Sequence, residues 1–554
     1  MFTEAVCTKS FDLAVAESLR DNGVQVVFGV VGIPVTNLAF SIQRVGIQFV
    51  GMRNEQAAGY AACAYGFLTG KPGVLLTVSG PGMVHGLAAL AHAQVNYLPL
   101  ILLSGSSHSP SGLAFQELDQ INAAKPFVKK SFQLTQSNCQ NAISEAVSLC
   151  LNSRPGSVYV DVPELLLSGL STSSMPPEKK TSASLQVDDH SDALCNVLRE
   201  SRRPVVFVGH IAAFYQLEKI IGQLVETLRI PLVPLPMAKG IIPDSHSLCA
   251  SAARSFVMKN CDLCLLIGAP MNWQLNFGQE SSWNSKCKFV SLNEFPLPHS
   301  NLILELHGSM KLTLFSLVQK GASLDVSRFQ EWNKAVYSRC IDSQIKMKKR
   351  LAVRENPLTF YCAYGVIQEE IHRYFQNKRH PILVSEGANT MDIGRVALDV
   401  QEPRCRLDAG LWGTMGVGLG YAIAAAIACP ERRVVVFEGD SAFGFSAAEC
   451  ETICRFGLPI VIFVFNNSGI YGRFHDSKEN HLPTDLVLEA KYQEIMEAFG
   501  GKGFFATTHQ ELAVATKLAF EAHEPVLINI IIDPKSGSES GRLTHLNPKS
   551  TSKL

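Results

Sequence analysis

The sequence predicts three doubly wound α/β domains built on parallel sheets, the middle one Rossmann-like. Three observations carry this. Apolar, β-branched runs recur along the chain without polar alternation, the pattern of strands covered on both faces. Helical runs rich in small residues separate them, so the strands are joined by crossovers rather than hairpins. A chain of 554 residues, 47% hydrophobic, also exceeds the ~250–300 residues that one core holds.

In the first block, residues 1–170, "VQVVFGVVG" (25–33) reads as a strand and "NEQAAGYAACAYGFLTG" (54–70) as a helix of small residues. "GVLLTVSG" (73–80) and "PLILLSGSS" (99–107) read as further strands. Residues 170–188 are rich in Ser, Thr, Pro and Lys, a linker composition. The second block, 190–325, repeats the pattern with "PVVFVGH", "IPLVPLP" and "CDLCLLIGAP". A charged helical stretch near 327–355 leads to the third block, 355–535. There "PILVSEGANTMD", "RRVVVFEGDSAFGFS", "LPIVIFVFNNSGIYG" and "EPVLINIIID" are strand-to-loop transitions of an α/β sheet. Residues 536–554 form a tail.

The 49 basic and 49 acidic residues cancel, which argues against nucleic acid or an anionic membrane as the main partner. The longest apolar stretches, 415–429 and 458–465, fall short of the roughly 20 residues a membrane span needs. The 15 cysteines are scattered, so no disulfide framework is expected. Cys261 and Cys264 form a CxxC with no partner at metal spacing, and core packing is the expectation over a site. Glu4 before Lys9, without an apolar run, does not read as a secretory signal. The final Ser552-Lys553-Leu554 reads as a peroxisomal address, implying an import receptor as partner and the peroxisomal matrix as location.

Two segments of the third block carry chemistry. Gly439-Asp440-Ser441 follows the strand "VVVFEGD", and Asn466-Asn467 follows "PIVIFVFNN". Either alone is as well explained by a helix cap or an ordinary turn. Together, at this spacing, they resemble the defining motif of thiamine diphosphate enzymes. That resemblance implies Mg²⁺ held by Asp440, the Asn467 amide and the Gly469 carbonyl, with diphosphate oxygens completing a hard, oxygen-only shell. A helix opening at "SAFGFSAAE" is expected to aim backbone N–H groups at the phosphates. Gly439, Ser441, Asn389 in "SEGANTMD" and Tyr471 join the cofactor-binding set.

Thiamine chemistry also needs a carboxylate that drives the aminopyrimidine into its imino form. Glu55 opens the helix whose neighbours Ala57, Ala58, Gly59, Ala61 and Ala62 leave no polar face, and it resembles the family's catalytic glutamate. "RLDAGLWGTMGVGLGYAIAAA" (406–426) resembles the segment that bends the cofactor. The Gly413 carbonyl is then expected to hold its amino group and Met415 to wedge beneath it, with plain core packing the alternative for Met415.

Over nearly the whole chain the resemblance is to the branch containing 2-hydroxyacyl-CoA lyase and oxalyl-CoA decarboxylase, carried by "MAKGIIPD" (237–244), "NWQLNFG" (272–278), "EGANTMD" and "GDSAFGFSAAE". Both enzymes release formyl-CoA, one with an aldehyde and the other with CO₂. His85 in "GPGMVHGLAAL" and Gln116 in "AFQELDQ" lean toward the lyase. A histidine can accept the substrate's hydroxyl proton, a step that CO₂ departure does not need. The alternative for His85 is a satisfied core residue. Asp119-Gln120 and the tail "SESGRLTHLNPKS" look decarboxylase-like. Tyr471 and, in that tail, Ser540 complete the catalytic candidates with Glu55, His85 and Gln116.

The middle block departs from the branch. Pro270 follows "LIGA" where arginine is frequent, Asn293 replaces an acidic residue, and "VGHIAA" lacks a glycine-rich phosphate loop. Arg154 fits an ADP site, but the departures argue against a bound ADP or FAD. The resemblance implies an acyl-CoA substrate and a homodimer or homotetramer. A catalytically inert peroxisomal binding protein is the other class, and the presence of Glu55, Asp440 and Asn467 counts against it.

Overall fold

A computed structural model of the chain describes residues 9–107, 112, 114–152, 154–167, 170–171, 190–297, 302–470 and 481–536. Tyr471, Ser540 and the terminal tripeptide lie outside these residues. The chain divides into two compact units, one of Met1–Ala183 with Trp412–Pro430 and Phe443–Leu458, the other of Ser184–Leu411, Glu431–Ala442 and Pro459–Leu554.

The first unit is built on six parallel strands, β1 (Val26–Gly29), β2 (Gln48–Gly51), β3 (Gly73–Thr77), β4 (Leu100–Ser106), β5 (Ser131–Gln133) and β6 (Ser157–Pro163), in the order 2-1-3-4-6-5. Val27, Val74, Ile101 and Val158 are fully or almost fully buried, as expected of a sheet covered on both faces. A short antiparallel pair, Lys9–Ser10 with Leu170–Ser171, forms a separate two-stranded sheet. Helix α1 (Glu55–Thr69) follows β2, capped by the Asn54 side chain and ended by Gly70 at φ 68°. Residues Ala57 to Leu68 of α1 are all buried, which explains its lack of a polar face. Helix α2 (Pro81–Asn96) follows β3.

In the second unit β7 (Pro204–Val208), β8 (Leu232–Pro234), β9 (Leu263–Ile267), β10 (Lys288–Asn293) and β11 (Leu302–His307) form a five-stranded parallel sheet, order 8-7-9-10-11. Helix Gln330–Leu351 is the charged stretch seen in the sequence. The third sheet comprises β12 (Ile382–Glu386), β13 (Arg406–Asp408), β14 (Val434–Gly439), β15 (Ile460–Asn466), β16 (Lys502–Ala506) and β17 (Val526–Ile531), in the order 13-12-14-15-17-16. Helix α3 (Ala388–Ala397) follows β12. Helices α4 (Gly418–Ala428) and α5 (Glu449–Arg455) belong to the first unit, where α4 packs on α1. Gly420 allows this approach: a Cβ there would stand 2.5 Å from the Ala57 carbonyl oxygen. No helix among the described residues is long and apolar enough to cross a membrane.

Candidate active site

Open parallel sheets bind ligands beyond the carboxyl ends of their strands, where the strand order reverses. In the third sheet that point lies between β12 and β14, which end on Glu386 and Gly439. Gly387, at φ 93°, leaves no room there: a Cβ on it would lie 3.2 Å from the Gly439 amide nitrogen. Asn389 and Thr390, both buried, stand in the first turn of α3, and a helix N-terminus favours an anion.

Asp440 follows directly. Its Oδ1 accepts from the Ser441 amide at 2.7 Å and its Oδ2 from the Gly469 amide at 3.2 Å. Burial pushes its carboxyl up to about 7 against these lowering hydrogen bonds. The Asn467 amide lies 3.3 Å from Asp440 Oδ1 and 2.8 Å from the Gly469 carbonyl oxygen. With its nitrogen inward it donates to both; with its oxygen inward, three acceptor oxygens face one another and only a cation reconciles them. Among the described residues no group of three His, Cys, Asp or Glu side chains could hold a metal. A carboxylate, an amide and a carbonyl are nevertheless the donor set of a hard cation, so these residues fit Mg²⁺ bound with a diphosphate. Asn466 plays another part: its Oδ1 accepts from the Ser468 amide and its Nδ2 donates to the Ala490 carbonyl and Asn529 Oδ1, bracing the loop. Beneath Gly439, Glu386 and Glu438 are register neighbours, both fully buried. Burial, and then the Glu386 charge, hold Glu438 well above the usual carboxylate range.

One expectation is corrected. No continuous helix opens at Ser441. A four-residue turn of helix, Asp440–Phe443, stops, and α5 begins only at Glu449. Gly444 interrupts the run, and the Ser446 amide turns back onto the Phe443 carbonyl. Few N–H groups are therefore aligned there, and α3 supplies the longer helix N-terminus of this crevice.

In the first unit, Glu55, His85 and Gln116 gather around the loop that leaves β3. Glu55 Oε2 is 3.0 Å from His85 Nδ1, and Oε1 lies against Gly82, 3.4 Å from where a Cβ would stand. The His85 side chain is 55% exposed, which removes the core-histidine alternative. Gln116, held at φ 57°, accepts from the Ser79 hydroxyl at 3.3 Å. Gln120 is buried structure: it accepts from the Gly80 amide and donates to the Gly105 carbonyl and the Tyr159 hydroxyl. Gly413, at φ 67°, is exposed and Met415 half-buried. Between them, the Thr414 hydroxyl meets His92 Nδ1 at 2.7 Å, while His92 Nε2 meets the Tyr421 hydroxyl at 2.7 Å. Full burial lowers the His92 pKa to about 3, so this imidazole is neutral.

Sequence reasoning missed Glu449. Its buried carboxylate accepts from the Arg53 and Asn54 amides at 3.1 and 3.0 Å and from the Thr452 hydroxyl at 2.7 Å. It closes the segment "GDSAFGFSAAE", but sequence reasoning assigned it no role, since its amide partners are 396 and 395 residues away in the chain. Other candidates stand elsewhere. Arg154 lies over the Tyr97 ring, 5.7 Å from its centroid. Pro270 and Asn293 are buried, and at the end of β7 a Cβ on Gly209 would meet the Gly268 carbonyl oxygen at 2.1 Å. Cys261 and Cys264 are buried, and Cys261 touches Cys287 at 3.5 Å.

Comparison with known proteins yields three family matches. Residues 10–123 match the thiamine pyrophosphate enzyme N-terminal TPP binding domain, 191–317 the central domain and 386–530 the C-terminal TPP binding domain. The chain is 42% identical to a 2-hydroxyacyl-CoA lyase of Oryza sativa subsp. japonica, covering 96% of each chain. It is 42% identical to one of Arabidopsis thaliana, covering 97% of this chain and 98% of that one. It is also 38% identical to oxalyl-CoA decarboxylase of Escherichia coli (strain K12), over 97% of each.

Proposed function

The chain belongs to the thiamine-diphosphate-dependent enzymes that make or break carbon–carbon bonds, and from that premise we propose that it is a 2-hydroxyacyl-CoA lyase releasing formyl-CoA and an aldehyde one carbon shorter. The observation that carries the choice is the exposed His85 imidazole held 3.0 Å from the Glu55 carboxylate. Breaking the C1–C2 bond of a 2-hydroxyacyl-CoA requires the substrate hydroxyl to lose its proton, and an accessible imidazole is the group to receive it.

When bound, thiamine diphosphate supplies a nucleophilic thiazolium carbon and an electron sink. Asp440, Asn467 and the Gly469 carbonyl would hold Mg²⁺ on the diphosphate, and Asn389, Gly439, Ser441 and Tyr471 would complete the cofactor-binding set. Glu55 would hydrogen-bond the aminopyrimidine ring. Gly413 and Met415 shape the seat of the cofactor, and Gln116, a neutral amide, adds no negative charge beside the substrate. Ser540 completes the proposed catalytic set.

Oxalyl-CoA decarboxylase is the second reading, favoured by the full-length relative in Escherichia coli. Purified protein loaded with cofactor and offered both substrate classes, with products resolved by mass, decides between them. Aldehyde and formyl-CoA from 2-hydroxyacyl-CoAs support the lyase. Turnover of oxalyl-CoA alone overturns it. The proposed assembly is a homodimer or homotetramer, supported by the exposed apolar side chains of Ile33, Phe40 and Val84 in the first unit. In a protein ending on Ser552-Lys553-Leu554, the import receptor is a partner and the peroxisomal matrix the location.

A further inference from the structure

The turn that delivers Glu55, residues 51–54, has little regular structure of its own, and its backbone hydrogen bonds can be traced group by group. The Met52 amide donates to the Gly29 carbonyl at 2.8 Å, tying the turn to β1. The Gly51 carbonyl accepts from Arg455 Nη2 at 2.6 Å. Glu449 Oε1 accepts both the Arg53 amide, at 3.1 Å, and the Asn54 amide, at 3.0 Å. The Asn54 side chain then accepts from the Gln56 and Ala57 amides, starting α1 with Glu55 as its first residue. Two side chains of α5, one at each end, therefore grip the three consecutive peptide groups that join Gly51 to Asn54, the residue before Glu55. Thr452, one turn along, donates to Glu449 Oε2 at 2.7 Å and fixes the carboxylate's rotamer.

We infer that Glu449, seconded by Arg455, is a positioning residue that sets the place of the Glu55 carboxylate and so the rate of cofactor activation. The inference rests on the reading of Glu55 as the carboxylate that activates the aminopyrimidine. Glu449 touches none of the reacting atoms. It acts through the two peptide planes that flank Arg53, whose N–H groups it accepts, and a displacement of about 1 Å at a catalytic group can cost on the order of 10²-fold in rate. What matters is the acceptor geometry rather than the charge. A glutamine at 449 can keep its carbonyl on the two amides and turn its amide nitrogen to the Thr452 hydroxyl, whereas alanine leaves both buried N–H groups without a partner.

The test measures hydrogen–deuterium exchange at C2 of thiamine diphosphate bound to the Mg²⁺-loaded protein, expressed per bound cofactor, together with backbone amide exchange in the peptide spanning residues 50–57. Glu449→Ala is expected to slow C2 exchange roughly tenfold to 10²-fold and to expose the Arg53 and Asn54 amides. Glu449→Gln is expected to restore both to within about threefold of wild type. Arg455→Met, at a half-exposed site where folding is not at risk, is expected to give a smaller loss in the same direction. Glu55→Gln serves as reference. If it slows C2 exchange while Glu449→Ala and Arg455→Met exchange at the wild-type rate, the inference is overturned and the reading of Glu55 stands. If Glu55→Gln itself exchanges at the wild-type rate, both fall. Should Glu449→Ala not fold, Glu449→Gln at wild-type rate with a slowed Arg455→Met supports the inference, and an unslowed Arg455→Met overturns it.

Discussion

Replacing His85 with alanine separates the chemical role of this residue from any structural one. Its side chain is 55% exposed and its partner Glu55 12% exposed, so the pair at 3.0 Å is open to solvent on the histidine side. Such pairs contribute about 0–1 kcal/mol to stability. On the proposed function the same substitution removes the hydroxyl-proton acceptor, and general acid–base catalysis is worth roughly 10²–10⁴-fold, about 3–5 kcal/mol of barrier. The expected outcome is a near-wild-type thermal midpoint, retained cofactor, and a fall of at least about 10²-fold in kcat/KM for 2-hydroxyacyl-CoA cleavage. Any decarboxylation of oxalyl-CoA should change by only a few-fold, since CO₂ leaves without a base. Formyl-CoA formed from each substrate, resolved by mass at saturating cofactor, is the readout. Equal losses on both substrates would refute the reasoning and reduce His85 to a residue that orients Glu55.

Asp440→Ala should abolish retention of thiamine diphosphate through gel filtration in Mg²⁺ while the circular dichroism spectrum is preserved; a variant that keeps stoichiometric cofactor refutes the cation site. Full burial of His92 lowers its pKa from 6.5 to about 3, so between these values the unfolded chain binds the proton that the folded chain refuses. The stability this residue contributes is therefore present above about pH 6.5 and is lost as pH falls through that window. His92→Gln should flatten the acid limb of denaturation midpoints, and an identical limb in wild type and variant refutes the assignment. Removing Ser552-Lys553-Leu554 from an N-terminally tagged protein should move it from punctate organelles to cytosol, and an unchanged punctate pattern refutes the address.

The parts of the fold that were legible in the sequence are those whose cause is local. Helix α1 was bracketed by residues 54 and 70 because Asn54 and Gly70 are its caps, residues whose side chain or freedom at φ 68° ends a helix wherever it stands. The long apolar strands β4, β14, β15 and β17 announced themselves by composition alone. The short strands β2, β5, β13 and β16 did not, since three to five residues in each carry no period and depend on neighbouring strands for hydrogen bonds. The same division holds at the site. Asp440 and Asn467 could be singled out because each ends an obvious strand. Glu55 could because it heads a helix whose small apolar residues leave no polar face for a surface glutamate. Glu449 and His92 could not, because what each does is defined by groups hundreds of residues away: the amides of Arg53 and Asn54 for one, the hydroxyls of Thr414 and Tyr421 for the other. The expected helix at Ser441 failed for the opposite reason, a local pattern overridden by Gly444 and the turn at Ser446.

The first and third sheets share one strand order, each running 2-1-3-4-6-5 when its strands are counted in chain order. Identical winding creates the same kind of crevice twice, beyond the strand ends where the order reverses, so topology alone cannot say what either crevice does. The side chains do. In the third sheet the strand ends at that point deliver Gly387 and Gly439 in close approach, then Asp440 with the Asn467 amide and the Gly469 carbonyl, a combination that admits an anion and a cation together. In the first sheet the strand beside the reversal ends on Thr77, and the loop beyond it holds Ser79, Gly80 and the start of α2, with Gln116, His85 and Glu55 around it. That crevice carries one carboxylate, one imidazole and one neutral amide, the equipment for moving protons rather than for binding phosphate. Thiamine chemistry needs both functions, an anchored diphosphate and a directed proton transfer. One winding used twice, with different side chains at its strand ends, supplies both.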